Sequence, residues 1–192
     1  MSKSPILSRK AVADPKKMIR RKLELEPGLV SITKVEAEII KDHLMKAKIS
    51  LPMAGVSYTI FADEPAMAGG HGSAPYMFGY FMAGALLCEL AQYTWNAESL
   101  GLLDRIHKVE MTLEGGFPLP PLFDLDDTKG ASAIREMRVT TRIEADATPE
   151  QIEKLAQLAA ARCPAHQSLV NKVPYSNTVE LNGRKIAEFR DG

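Results

Sequence analysis

Two cysteines and four histidines carry most of the reactive chemistry in this 192-residue chain. Cys163 stands in Arg162-Cys-Pro-Ala-His166, where one helix is expected to end and a short second one to begin. A thiol at such a helix start, beside an arginine and a histidine, ionises readily, and the thiolate is the reactive form. A buried structural cysteine is the competing reading, and both stay open. Cys88 sits among Leu86, Leu87 and Leu90. Apolar surroundings keep a thiol protonated and inert, so Cys88 reads as core rather than catalyst. The two cysteines are 75 positions apart, which suits neither a secreted disulfide framework nor a zinc site.

The histidines His43, His71, His107 and His166 share no metal-ligand spacing, and nothing in the sequence implies a metal or cofactor. His71 lies in Gly69-Gly-His-Gly72, which superficially suggests a phosphate cradle but lacks a phosphate-loop pattern. Met45, Met53, Met67, Met77 and Met82 suit either an adaptable apolar pocket or ordinary core filling.

The elements that must position these residues follow from period and turn chemistry. Strands are expected over residues 29–40, 44–51, 56–62, 106–113, 134–145, 173–181 and 185–190. Pro75 suits the first turn of a helix running from Tyr76 to about Leu100, ended by Gly101. Thr148-Pro-Glu-Gln151 combines an N-cap, a proline at the first helical position and a capping box. That helix presents Ile152, Leu155, Leu158 and Ala159 on one stripe and must break at Pro164. Asn182-Gly183 marks a hairpin turn, and residues 115–130 read as a loop. Strands arriving in neighbouring groups, instead of each alternating with a helix, favour an α+β class.

Composition narrows the function classes. The chain is 45% hydrophobic and 25% charged, with 24 basic and 24 acidic side chains, so no net field points to nucleic acid or membrane. Residues 1–25 carry eight basic side chains against two acids. We read 1–27 as a basic extension and 28–192 as one domain. The apolar run Met77–Leu90 is shorter than the roughly 20 residues of a membrane span. No apolar signal core precedes it, and a reducing cytoplasm is the expected compartment.

Several pieces together resemble one family. Asp63-Glu-Pro, Gly69-Gly-His-Gly-Ser-Ala-Pro75, a long apolar helix and a strand ending Glu114-Gly-Gly-Phe117 form one half. Thr148-Pro-Glu-Gln, then Arg162-Cys-Pro-Ala-His-Gln-Ser-Leu169 and a strand, form the other. Over roughly residues 28–182 the chain is similar to the OsmC/Ohr family of osmotically inducible and organic-hydroperoxide-resistance proteins. The resemblance implies an α+β fold with antiparallel sheets wrapped around two central helices in an intertwined homodimer. It also implies thiol peroxidase chemistry. A reactive cysteine on the first helix is oxidised to a sulfenic acid and captured by a resolving cysteine, while an arginine and a glutamate hold the thiolate.

Carried over by position, Cys163 matches the resolving cysteine. Counting from Pro75, the glutamate position falls on Tyr76 and the peroxidatic position on Leu86. Cys88 comes two residues late, about 200° around the helix and on nearly the opposite face. No arginine occurs between Arg21 and Arg105, leaving His43, Lys46, Lys48 or Arg20 and Arg21 as substitutes.

Three functions follow. One is a hydroperoxide reductase using Cys88 and Cys163. The second is a non-catalytic dimer binding a small apolar ligand in the former active-site cleft, near Tyr76, Leu86, His71, Tyr80 and Met82. The third is another enzyme using His71, His166 or Cys163. Partners are then a second copy of the chain and an organic hydroperoxide or apolar ligand, without nucleic acid or membrane.

Overall fold

Strand alternation and turn chemistry build most of the molecule. The structure, a computed structural model, describes residues 28–119 and 133–191. The basic extension 1–27 and the loop stretch 120–132 lie outside the described residues. The chain divides into two units, and the division falls after Ala83, inside the first α-helix.

In the unit ending at Ala83, β1 (Lys34–Lys41), β2 (Leu44–Leu51) and β3 (Val56–Ala62) form an antiparallel sheet in that order. Ala47 lies opposite Ala37 on one side and Ile60 on the other. The first strand begins at Lys34, not at Leu29 as the alternation suggested. Lys34 already faces Ser50 near the end of β2, and Pro52, which has no N–H, opens a 3-10 turn just beyond. Residues 29–33 therefore have little ladder left to join.

In the unit from Gly84 onward, the C-terminal part of α1 (Met77–Ser99) packs on α2 (Pro149–Arg162). Tyr93 and Ala97 from α1 meet Leu155 and Ala159 from α2, with Leu102 and Ile106 closing the cluster. The spacing of four in each pair is one helical turn, so each helix contributes one face. Beside this core, Arg162 donates to the Oδ1 of buried Asn96, whose Nδ2 donates to the Gln92 carbonyl at 2.7 Å. Two hairpins accompany the helices. One pairs β4 (Ile106–Gly116) with β5 (Glu136–Ala145), and the other pairs β6 (Tyr175–Leu181) with β7 (Arg184–Asp191). The strand β4 runs through Gly115 and Gly116, opposite Met137 and Glu136, where a loop was expected.

The α2 start is as read. The Thr148 hydroxyl accepts from Gln151 N, and the Gln151 side chain accepts from Thr148 N. Asn182 and Gly183 take φ of 51° and 77° in the β6–β7 turn, the left-handed pair that such a hairpin requires. The class is α+β with antiparallel sheets, but the described residues hold three α-helices, not two. Pro164 separates α2 from α3 (Pro164–Val170), and Cys163 stands between them as the C-cap of one and N-cap of the other. A proline cannot supply the N–H that continuing α2 would need, yet suits the first position of α3.

Candidate functional site

The cap residue between α2 and α3 is the centre of the site. Cys163 is wholly buried, and its sulfur accepts the backbone N–H of His166 at 3.3 Å. Its side chain also interacts with that of Cys88, which is half-buried. Burial, above all, pushes the Cys163 thiol above the ordinary thiol range. The His166 N–H opposes that rise and the neighbouring Cys88 adds to it.

This overturns the expectation that Cys88 points away into core. Leu86 and Cys88 do part company around the helix, as their spacing demands. It is Cys88 that meets Cys163, while Leu86 lines a neighbouring cavity. Moving the ten-residue spacing between Tyr76 and Leu86 onto Cys88 places the glutamate position at Phe78, so that carboxylate is still absent from the sequence.

The cavity has a volume of about 360 Å³. Leu86, Leu113, Met137, Val139 and Leu169 give it a mainly apolar wall, and Glu89, His166 and Arg135 bring polar groups to it. Glu89 follows Cys88 directly in α1, and its Oε2 lies 3.1 Å from His166 Nδ1. The Glu89 side chain is only 14% exposed. A carboxylate so removed from water requires a partner, and the imidazole supplies it. Sequence reading missed Glu89 and Arg135. The available signal for Glu89 was a lone acid following a cysteine in an apolar run.

His71, Tyr76, Tyr80 and Met82 belong to the other unit. There the Tyr80 hydroxyl donates to the Phe61 carbonyl at 2.8 Å. The glycine loop is organised around the chain's own anion. The Oδ2 of buried Asp63 accepts from His71 N at 3.3 Å, Ser73 N at 3.0 Å and Ser73 Oγ at 2.8 Å. Those donors hold the Asp63 carboxyl below the usual carboxylate range, Ser73 most of all. The loop thus spends these N–H groups on Asp63, and the phosphate-cradle resemblance has no basis in them.

The OsmC-like protein family model matches residues 70–177, and the chain belongs to that family. Among solved structures, it is similar to the OsmC-like protein of Mycoplasma pneumoniae, with 20% identity and a TM-score of 0.59 over 75% of this chain and 91% of that one. The organic hydroperoxide resistance protein OsmC of Legionella pneumophila shares 17% identity at a TM-score of 0.51, covering 74% and 92%. An OsmC-like protein of unknown function from Vibrio cholerae shares 12% at 0.53, covering 74% and 96%. These likenesses establish the fold. No curated protein matches the chain. No helix among the described residues is long and apolar enough to cross a membrane.

Proposed function

We propose that the chain is a two-cysteine peroxidase that reduces apolar organic hydroperoxides, with Cys88 as the nucleophile and Cys163 as the resolving thiol. The observation that carries this reading is the side-chain interaction between the two free thiols. Their unequal exposure supports the roles. Half-buried Cys88 is the more exposed of the two, whereas Cys163 is wholly buried. The Cys88 thiolate attacks one peroxide oxygen and the O–O bond breaks, giving a sulfenic acid and an alkoxide that leaves as the alcohol on protonation. The Cys163 thiol then displaces water from the sulfenic acid and forms the disulfide. One hydroperoxide and two thiols become one alcohol, one disulfide and one water, and an external dithiol restores the pair. The apolar cavity lined by Leu86, Glu89 and His166 suits a hydrocarbon substituent.

The acting unit on this reading is a homodimer. In the β6–β7 hairpin, Tyr175, Leu181, Ile186 and Phe189 are each 57–60% exposed. A two-stranded hairpin is marginal in water, and such a cluster of exposed apolar side chains is the signature of an interface. Light scattering of the purified chain at micromolar concentration is expected to give twice the chain mass of 21.1 kDa.

The test is consumption of cumene hydroperoxide with dithiothreitol as reductant. Turnover by the wild type that is lost in Cys88→Ser supports the peroxidase. A wild type that consumes no hydroperoxide sinks it and leaves the non-catalytic apolar-ligand protein as the reading.

A further inference from the structure

Glu89 and His166 form a pair of their own against the thiols. Glu89 is the neighbour of Cys88 in α1, and His166 donates its backbone N–H to Cys163 Sγ at 3.3 Å. A carboxylate only accepts hydrogen bonds, so the His166 Nδ1 facing Glu89 Oε2 at 3.1 Å carries the hydrogen. In the neutral form of the ring, which lines the cavity, Nε2 then keeps its lone pair. The arrangement is that of a base oriented by a third group, as in Cys–His sites. The other charged groups on the same wall are Arg135 and Glu136. Tyr93, one turn beyond Glu89, is pushed up chiefly by burial and stays neutral at the pH values of interest.

We propose that His166 is the proton carrier of the thiol site and that Glu89 is its positioning residue. This rests on the peroxidase reading above. Neutral His166 takes the Cys88 thiol proton at Nε2, giving a thiolate and an imidazolium whose Nδ1–H is held by Glu89. The thiolate gives its electron pair to the peroxide oxygen as the O–O bond breaks. The departing alkoxide takes the proton back from Nε2, leaving the alcohol, a Cys88 sulfenic acid and neutral His166. Protons and electrons balance without any further reactant. The role also answers a gap in the sequence. With no arginine between Arg21 and Arg105, the early strands offer no guanidinium to hold a thiolate, and here the cation is generated by the proton transfer itself.

The experiment measures the pH dependence, from pH 5 to 9, of iodoacetamide alkylation of Cys88 in the reduced full-length protein. Peptide mass mapping identifies the labelled cysteine. In His166→Gln the alkylation rate at pH 7 is expected to fall about tenfold, with the profile displaced towards alkaline pH. Glu89→Gln should displace it in the same direction, and the double variant should be no slower than His166→Gln, because Glu89 acts through His166. Profiles that coincide with wild type in folded variants overturn the proposal. Should His166→Gln fail to fold, as judged by circular dichroism, the near-isosteric Glu89→Gln decides alone by the same criterion. Displaced profiles in a protein that consumes no cumene hydroperoxide would retain the proton-carrier role and remove the peroxidase reading, so the two fail separately.

Discussion

Cys88 and Cys163, 75 positions apart in the chain, bring a half-buried and a wholly buried thiol into interaction. On the proposed peroxidase reading, that asymmetry sets an order of events. Stoichiometric cumene hydroperoxide is expected to join the two tryptic peptides through one intramolecular disulfide. Cys163→Ser should stop at a Cys88 sulfenic acid that dimedone traps. Cys88→Ser should slow hydroperoxide consumption by roughly a thousandfold or more, the scale of losing a nucleophile. Mass spectrometry that finds no linked peptide in the wild type would remove the pairing.

The Cys163 thiol sets a pH dependence. Its folded-state value is raised, first by burial, so the folded protein holds this proton to higher pH than the unfolded chain does. The stabilisation is complete below the ordinary thiol range and is lost as pH rises through the raised value. In Cys88→Ser, where burial still acts, maleimide labelling of Cys163 should be slow at pH 7. It should quicken about tenfold per pH unit below the raised value, since only the thiolate reacts. Labelling at pH 7 as fast in buffer as in urea would contradict this.

Local chemistry was legible where a few adjacent residues determine it. Thr148-Pro-Glu-Gln151 announces its own helix start, Asn182-Gly183 its own turn and Pro164 its own break, and all three are realised. The α+β class follows from the grouping of such elements. The site was legible only in part, because its defining contacts are long-range. Glu89 and His166 lie 77 positions apart, and no periodicity encodes their meeting. The meeting of Cys88 with Cys163 was missed for the same reason, since the two lie 75 positions apart. The glycine loop lacks a phosphate-loop pattern, and its backbone N–H groups serve Asp63, a partner that composition does not announce.

Asp63 gives a second, opposite pH signature. Its carboxyl is lowered by the Ser73 backbone and side-chain hydrogen bonds and, more weakly, by the His71 N–H. The stabilisation is present above the ordinary carboxylate value and is lost as pH falls through the lowered one. Asp63→Asn should therefore melt below wild type at pH 7, and the gap should narrow as pH is lowered towards 2. A gap in Tm that stays constant across that range would mean that charge has no part in holding the loop.

Gly70 tests the same loop by contact alone. Its φ lies outside the left-handed region, so conformation does not demand a glycine there. A Cβ at this position would overlap the Glu64 carbonyl and come within 2.8 Å of Asp63 Oδ1. Both neighbours are fixed, one as backbone and the other by three hydrogen bonds, so the loop must open to admit a methyl group. Gly70→Ala should cost about 3 kcal/mol, towards the upper end for overpacking. Gly72 reverses the circumstances, with a φ of 63° and nothing within 4 Å of an added Cβ. Gly72→Ala then meets only the left-handed penalty of about 1 kcal/mol. Urea denaturation of the two variants should rank Gly70→Ala as clearly the less stable, and the reverse ranking would show that the Asp63 loop yields where its packing says it cannot.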